Sequence, residues 1–166
     1  MSVAPIYEGW QRIQSRLARR LPGLGTQELH LRSSANAMPV WAIVSHIATA
    51  RVYWLCGVFK EPGADGTPFP DPFAAGWEDL PVPRQAQELL FAIESSGRIV
   101  ESCLERWTPA MLGETFTREI GGQVQRHTRQ SVLTRIVTHD AFHCGEISIL
   151  LDANGFASLD PWEPIV

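Results

Sequence analysis

Hydrophobic residues recur three or four positions apart in four segments of the chain, which is the spacing of an amphipathic α-helix. We predict the first helix over residues 3–21, where Pro22 and the glycines behind it stop the pattern. The second helix is predicted over residues 39–59, the third over 83–107 and the fourth over 128–154, which ends at an Asn-Gly pair. These four segments predict an all-α fold.

The connections between these helices differ in composition. Residues 26–37 are predicted to form a short connection into the second helix, which Pro39 can open because the first helical turn needs no amide donor. Residues 60–83 contain six of the twelve prolines, so we predict no regular element there. Loops of this length are often lids or binding loops, and a plain surface crossover is the alternative.

One short stretch changes from the helical period to alternation. Residues 115–120 and 123–127 alternate on either side of Gly121 and Gly122, which predicts a small β-hairpin with a tight turn. We therefore predict that residues 1–166 form a single four-helix-bundle domain with this hairpin before helix four. The long connection between helices two and three would be a crossover that lets those two helices run parallel.

Composition and charge narrow the class of protein. The chain has 166 residues, enough for one domain with its own core, and 45% of them are hydrophobic and 19% charged, as in soluble globular proteins. The formal net charge of −4 argues against nucleic acid as a main partner. The basic cluster on the first helix is interpreted as a solvated face rather than an anion-binding patch. It consists of Arg12, Arg16, Arg19 and Arg20.

We expect a cytoplasmic protein that is not inserted in a membrane. The longest apolar stretch, residues 38–47, is too short to span a bilayer and contains Ser45 and His46. The N-terminus lacks the pattern of a signal peptide. Three cysteines without paired spacing are most simply reduced thiols. They are Cys56, Cys103 and Cys144.

Ionisable residues occupy the face of helix four that should be buried. With about 100° of rotation per residue, His139, His143 and Glu146 project into the apolar arc of this helix. That arc is defined by Val132, Ile136, Ile147 and Leu150. On helix two, His46 projects inward, or nearly so, beside Ile43 and Ile47. Because a buried imidazole or carboxylate is costly unless it is paired or ligated, these side chains must have partners.

The spacing of the histidines suggests that the partner is a metal ion. His139 and His143 lie four residues apart, so their rings can converge on one ion. That pair alone is weak evidence, because such spacing arises often by chance, but His46 as a third inward histidine strengthens it. The alternative for each residue is a hydrogen-bonded core histidine. His30 and His127 lie outside the long helices and are predicted at the surface, although His127 could line the rim of the site.

Two sequence pieces resemble the DinB/YfiT-like superfamily of metal-binding four-helix bundles. They are WAIVSHI at residues 41–47 and HDAFHCGEI at residues 139–147, of which the second is similar to the H-x-x-x-H-x-G-Q-I signature of that family. The resemblance covers nearly the whole chain in element order and length. It implies that His46, His139 and His143 bind the metal, that helices two and four face each other, and often that the protein is a homodimer.

Glu146 departs from the family signature, which commonly has glutamine there. A carboxylate at this position could be a fourth ligand, orient an imidazole, or act as a base on a bound water. We favour the last two roles together, because a glutamate one turn from His143 is not expected to reach the ion. Glu146 is thus the candidate catalytic residue.

Three imidazoles leave at least one coordination position open, which is typical of catalytic rather than structural metal sites. Zinc or nickel is the preferred divalent ion, with iron, copper or manganese as alternatives. Family members include thiol-dependent transferases, a thiol-dependent isomerase and proteins regarded as hydrolases. The resemblance therefore implies a small-molecule substrate and an activated thiol or water, with a low-molecular-weight thiol as a possible partner. The alternatives are a stress-related binding protein without turnover and an assembly module whose metal is structural.

The remaining side chains near the motifs are given structural roles. Cys144 is predicted to be a small packing residue, and Asp140 a solvated or interface charge that points away from His139. Tyr53, Trp54 and Phe142 are predicted to be core aromatics rather than walls of a pocket.

Overall fold

The computed structural model describes residues 1–159 and is mostly helical. It has five α-helices and one sheet of two antiparallel strands. The elements are α1 (Glu8–Arg20), α2 (Thr26–Leu29), α3 (Val40–Val52), α4 (Ala86–Arg106), β1 (Thr115–Ile120), β2 (Gln123–Thr128) and α5 (Arg129–Asp152). The four long helices lie where the hydrophobic period predicts them, and α2 is an unpredicted single turn inside the connection at 26–37.

The first predicted helix contains both 3₁₀ and α-helical segments. It begins with a 3₁₀ turn over Ala4–Tyr7, continues as α1 and ends with a 3₁₀ turn over Leu21–Gly23. The backbone N–H of Val3 donates to the carbonyl of Trp107, just after α4, at 3.0 Å. Because both residues are fully buried, this bond fixes the start of the chain against the end of α4.

α3 is the central helix of the molecule. It contacts both α4 and α5, and most of its residues are buried whichever way they point. A helix that is apolar on nearly every side lies inside the core rather than at its edge. α1 covers the core from the other side by contacting α4 and α5.

Beyond Val52 the chain continues directly from α3 into a π-helix. Residues Tyr53–Val58 form a π-helical segment, in which hydrogen bonds span five residues instead of four. Five of its six residues are buried. The predicted helix over 39–59 therefore forms in full, but only its first part is α-helical.

The proline-rich connection after Phe59 folds back onto α3. Two 3₁₀ turns interrupt it, Ala64–Gly66 and Trp77–Asp79, so the prediction of no regular element is wrong in detail. The second turn contacts α3, and Trp77 packs on the buried ring of Phe69 with 5.2 Å between ring centroids. The connection is thus an ordered part of the molecule that brings its own side chains to α3.

The predicted hairpin is confirmed. Thr115 pairs with Thr128 at its open end and Ile120 with Gln123 at the turn. Gly121 and Gly122 have φ angles of 58° and 75°, which a tight hairpin turn requires and glycine adopts without steric cost. Thr128 then caps α5, because its Oγ1 accepts a hydrogen bond of 3.1 Å from the N–H of Ser131.

No helix in residues 1–159 combines the length and apolar character needed to cross a bilayer.

Candidate metal centre

The three predicted histidines come together between α3 and α5. His46 lies on α3, and His139 and His143 lie one turn apart on α5. The Nε2 atoms of His46 and His139 are 3.1 Å apart, and one ligand nitrogen from each of the three rings lies within 4.8 Å of the others. No other group of three or more His, Cys, Asp or Glu side chains in the described part of the chain is this close together.

The three rings are not equally buried. His143 is 8% exposed and has the core position that the helical projection predicts. The side chain of His139 is 23% exposed and that of His46 is 37% exposed. The cluster therefore lies at the border between the core and a pocket, where an ion would remain accessible to a small molecule.

A carboxylate faces the Nδ1 atom of each histidine. Oε1 of Glu78 lies 3.2 Å from His46, and Oε2 of Glu146 lies 3.0 Å from His143. An imidazole that donates from Nδ1 to a carboxylate keeps its lone pair on Nε2, and such pairs orient the histidines of metal sites.

The third pair is longer. Oδ1 of Asp140 lies 3.5 Å from Nδ1 of His139, an ion-pair distance rather than a well-formed hydrogen bond. Nevertheless all three rings have a carboxylate on Nδ1, and among residues 1–159 none has one on Nε2.

Glu78 was not found by sequence reasoning. It lies in the 3₁₀ turn of the proline-rich connection and is held in place from α3. Ser45 Oγ donates to its Oε2 at 2.8 Å, and Thr49 Oγ1 donates to the same oxygen at 3.2 Å. The sequence marked this connection as a candidate binding loop, but nothing in the spacing linked position 78 to His46.

The prediction for Asp140 is wrong. Its side chain is completely buried, and its Oδ2 accepts hydrogen bonds from Trp10 Nε1 at 2.7 Å and from Arg51 Nε at 2.9 Å. Burial raises the pKa of Asp140, but the Arg51 charge and the surrounding hydrogen bonds outweigh it, so the pKa lies below its usual value. Asp140 is therefore an ionised group inside the core, not a solvated one.

Arg51 extends this buried network. Its Nη1 donates to Oε1 of Gln14 at 2.7 Å and to the carbonyl of Ile93 at 3.3 Å. The network thus joins α1, α3, α4 and α5 around one ion pair, next to His139.

The pKa values of His46 and His143 are shifted in opposite directions. The hydrogen bond to Glu78 raises the pKa of His46, against the opposing effect of burial. Burial lowers the pKa of His143 although Glu146 opposes this. In the metal-free protein the pKa of His143 is thus lower than that of His46, so a metal ion competes with protons less at His143 than at His46.

The aromatic side chains around the cluster depart from their predicted places. Trp54 is buried as predicted, but it also lines a cavity of about 570 Å³ together with Tyr53, His46 and His139. Phe142 is 68% exposed, so its prediction as a core residue is wrong. The cavity gives the histidines an opening large enough for a small molecule.

The cysteines do not contribute a nucleophile to this cavity. Burial raises the pKa of Cys56 to about 11 and the pKa values of Cys103 and Cys144 to about 12. Cys144 neighbours His143 in sequence but packs on the other side of α5, against α1. A thiol that reacts at the histidines must therefore come from another molecule.

The residues present fit a divalent metal ion. Two zinc–nitrogen bonds of about 2.1 Å at a tetrahedral angle place the nitrogens about 3.4 Å apart. The His46–His139 pair already has this spacing, at 3.1 Å. The full set, within 4.8 Å, would have to contract slightly on binding.

Two comparisons with known proteins show the family and the fold of the chain. A family model described as the DinB superfamily matches residues 10–147. A DinB-like protein from Bacillus cereus ATCC 10987 has a similar structure, with a TM-score of 0.66 and 16% sequence identity over 96% of each chain. At this identity the likeness shows the fold alone. No curated protein matches the sequence.

Proposed function

This chain belongs to the DinB superfamily, and on that premise we propose that it is a metal-dependent enzyme whose ion is held by His46, His139 and His143. The observation that carries the proposal is the convergence of three imidazoles, each with a carboxylate on Nδ1. A core histidine needs only a hydrogen-bond partner, and His46 and His143 have one in Glu78 and Glu146. The remaining nitrogens of His46 and His139 nevertheless face each other at 3.1 Å. A shared metal ion explains that approach.

The proposed chemistry follows from the ligand count. Three protein ligands leave a coordination position for a small molecule. When bound, zinc, nickel or a similar divalent ion supplies Lewis acidity, which makes a thiol or water a stronger nucleophile near neutral pH. We propose a thiol transferase or hydrolase type of reaction, with the thiol taken from a low-molecular-weight compound because none of the protein's own cysteines lines this cavity.

Glu146 is proposed to have two roles. Its Oε2 holds the ring of His143 at 3.0 Å. The side chain is 32% exposed, and its Oε1 has no hydrogen-bond partner within residues 1–159. That oxygen is therefore available to take a proton from a thiol or water bound beside His143.

We also propose that the four long helices form a four-helix bundle, with residues 60–85 as the crossover between α3 and α4. The contacts of both α1 and α3 with α4 and α5 support it. A homodimer and a cytoplasmic location remain predictions.

Metal analysis tests the proposal directly. We expect one ion per chain in the wild type after reconstitution with zinc or nickel, and a large loss in H46A, H139A and H143A. His30→Ala is the matched control, because His30 is exposed and its Nδ1 bonds only to the backbone of Thr26. Equal metal content in all variants would refute the site. A metal-loaded protein without activity toward thiols and electrophiles would instead support a binding protein without turnover.

A further inference from the structure

Three arginines line the same cavity as His46 and His139, and one of them, Arg51, is paired with Asp140. Arg118 comes from β1 and Arg135 from α5. Arg135 is four residues before His139, so the two side chains lie on one face of α5, about 6 Å apart along the helix. The guanidinium group of Arg135 therefore lies one helical turn from His139, a proposed metal ligand.

Both guanidinium groups contact the ring of Trp54. The distance from the guanidinium carbon to the ring centroid is 4.3 Å for Arg118 and 4.9 Å for Arg135. Arg118 also donates to Tyr53 Oη at 2.8 Å and twice to Gln125 Oε1, at 3.0 and 2.7 Å. These partners are neutral, so the charge of Arg118 is positioned but not compensated.

Arg135 has fewer interaction partners than Arg118. Within residues 1–159 its guanidinium group makes no hydrogen bond and no ion pair, and its side chain is exposed. Three carboxylates also line the cavity: Glu78 is bound to His46, Asp140 is paired with Arg51, and Asp79 follows Glu78 in the turn near His46. Burial and the two arginines together lower the pKa of His127, whose ring contacts Trp54 at 4.8 Å. The cavity thus has a positively charged end in a chain whose net charge is −4.

We infer that this end binds an anionic group of the substrate, a carboxylate or a phosphate, while another part of the same molecule reaches the histidines. Guanidinium groups suit this purpose because they donate two parallel hydrogen bonds to such anions. Two like charges beside one aromatic ring repel each other, and an anion between them removes that cost. This inference rests on the proposed metal-dependent function, whose substrate class it specifies.

A purely structural role explains only one of the two arginines. The hydrogen bonds of Arg118 tie β1 to the π-helical segment, which is reason enough for an arginine there. Arg135 has no such bonds, so a structural role leaves it without a function other than contact with Trp54. Arg135 is therefore the residue that separates the two explanations.

The test uses calorimetric titration of the zinc-loaded chain with mercaptoacetate and with mercaptoethanol, which differ in a carboxylate and a hydroxyl. We expect Arg135→Gln and Arg118→Gln each to reduce the preference for mercaptoacetate by about tenfold. Arg126→Gln is the matched control, because Arg126 is exposed on β2 and does not line the cavity. Comparing variants cancels the intrinsic difference between the two thiols. Should Arg118→Gln fail to fold, Arg135→Gln carries the test.

A second titration separates the two proposals. Succinate and inorganic phosphate, which have no thiol, are titrated into the metal-free chain, and we expect Arg135→Gln to weaken the binding of the preferred anion about tenfold. Zinc binding without any Arg135-dependent preference in either titration overturns the anion site alone. Arg135-dependent anion binding without zinc binding overturns the metal proposal and leaves the anion site standing.

Discussion

Trp10 on α1 and Asp140 on α5 are joined by a hydrogen bond of 2.7 Å from the indole Nε1 to Oδ2 of the carboxylate, and both side chains are buried. The same carboxylate forms an ion pair with Arg51, and its other oxygen lies 3.5 Å from His139. One side chain thus belongs both to the network that joins four helices and to the candidate metal centre.

Removing the Asp140 charge should destabilise the whole protein. Asp140→Asn leaves the buried guanidinium of Arg51 without its counter-ion, and we expect a loss of about 3–5 kcal/mol in the free energy of unfolding. Trp10→Phe removes one hydrogen bond to a charged group and should cost about 1–3 kcal/mol. Urea unfolding measures both. Asp152→Asn, at an exposed position of α5, is the control, and equal stability of the two Asp variants would contradict the prediction.

Glu78 should control metal affinity without being a ligand. Glu78→Gln keeps the shape of the side chain but replaces a charged acceptor for His46 with a neutral one. Because such partners orient metal-binding histidines, we expect affinity for zinc to fall by about 10- to 100-fold. Competition with a chromogenic chelator measures this. Glu94→Gln, exposed on α4, should leave the affinity unchanged, and an unchanged affinity in Glu78→Gln would show that the loop does not support the site.

Glu146→Gln introduces the residue that is common in the family and separates orientation from proton transfer. The amide oxygen can still accept from His143, so the variant should fill with metal at saturating zinc, although its affinity should fall as it does in Glu78→Gln. An amide cannot take a proton, so the thiol-transfer or hydrolytic rate should fall by about a hundredfold or more. If the metal-loaded variant reacts as fast as the wild type, the proposed role of Glu146 as a base is wrong and orientation is its whole function.

Lowering the pH should reduce the free energy of unfolding, in part by protonating Glu61. Burial raises the pKa of Glu61, but the hydrogen bonds from Arg106 and Arg129 lower it by more. The pKa in the folded protein therefore lies below the unfolded value of about 4.5. A lowered pKa stabilises the folded state above the unfolded pKa, and this contribution is lost as the pH falls through the folded pKa. We therefore expect Glu61→Gln to be less stable than the wild type at pH 7 and to show a smaller further loss below about pH 4.5.

Urea unfolding across this pH range tests the prediction. Glu119→Gln is the control, because Glu119 is exposed on β1 and forms no ion pair with other residues in the 1–159 range. A loss of stability in acid that is the same for Glu61→Gln and the wild type would contradict it.

The sequence predicted the features that depend on interactions between residues close together in the chain. The helical period located the long helices, and the alternation around Gly121 and Gly122 located the hairpin, because both patterns follow from contacts between near neighbours in the chain. The meeting of His46 with the two histidines of α5 was predicted as well, since each lies on a face that should be apolar. Family membership, inferred from the same motifs, is confirmed.

What the sequence did not predict depends on how distant segments pack. Asp140 was predicted to be exposed because adjacent residues of a helix point about 100° apart, so its side chain points away from that of His139. That direction is occupied by α1, however, so α5 is buried on two faces rather than one. Glu78 and Arg118 reach the cavity from a loop and a strand whose positions only the folded structure gives.

The π-helical segment at Tyr53–Val58 has a consequence for comparing this chain with its relatives. A π-helical turn holds about one residue more than an α-helical turn. A homologue whose corresponding helix is α-helical throughout would therefore lack one residue there. An alignment that is correct at His46 would be one position out of register at Lys60 unless it opens a gap within this segment. Insertion of a single residue is thus the evolutionary step that would create this wall of the cavity without moving the histidines.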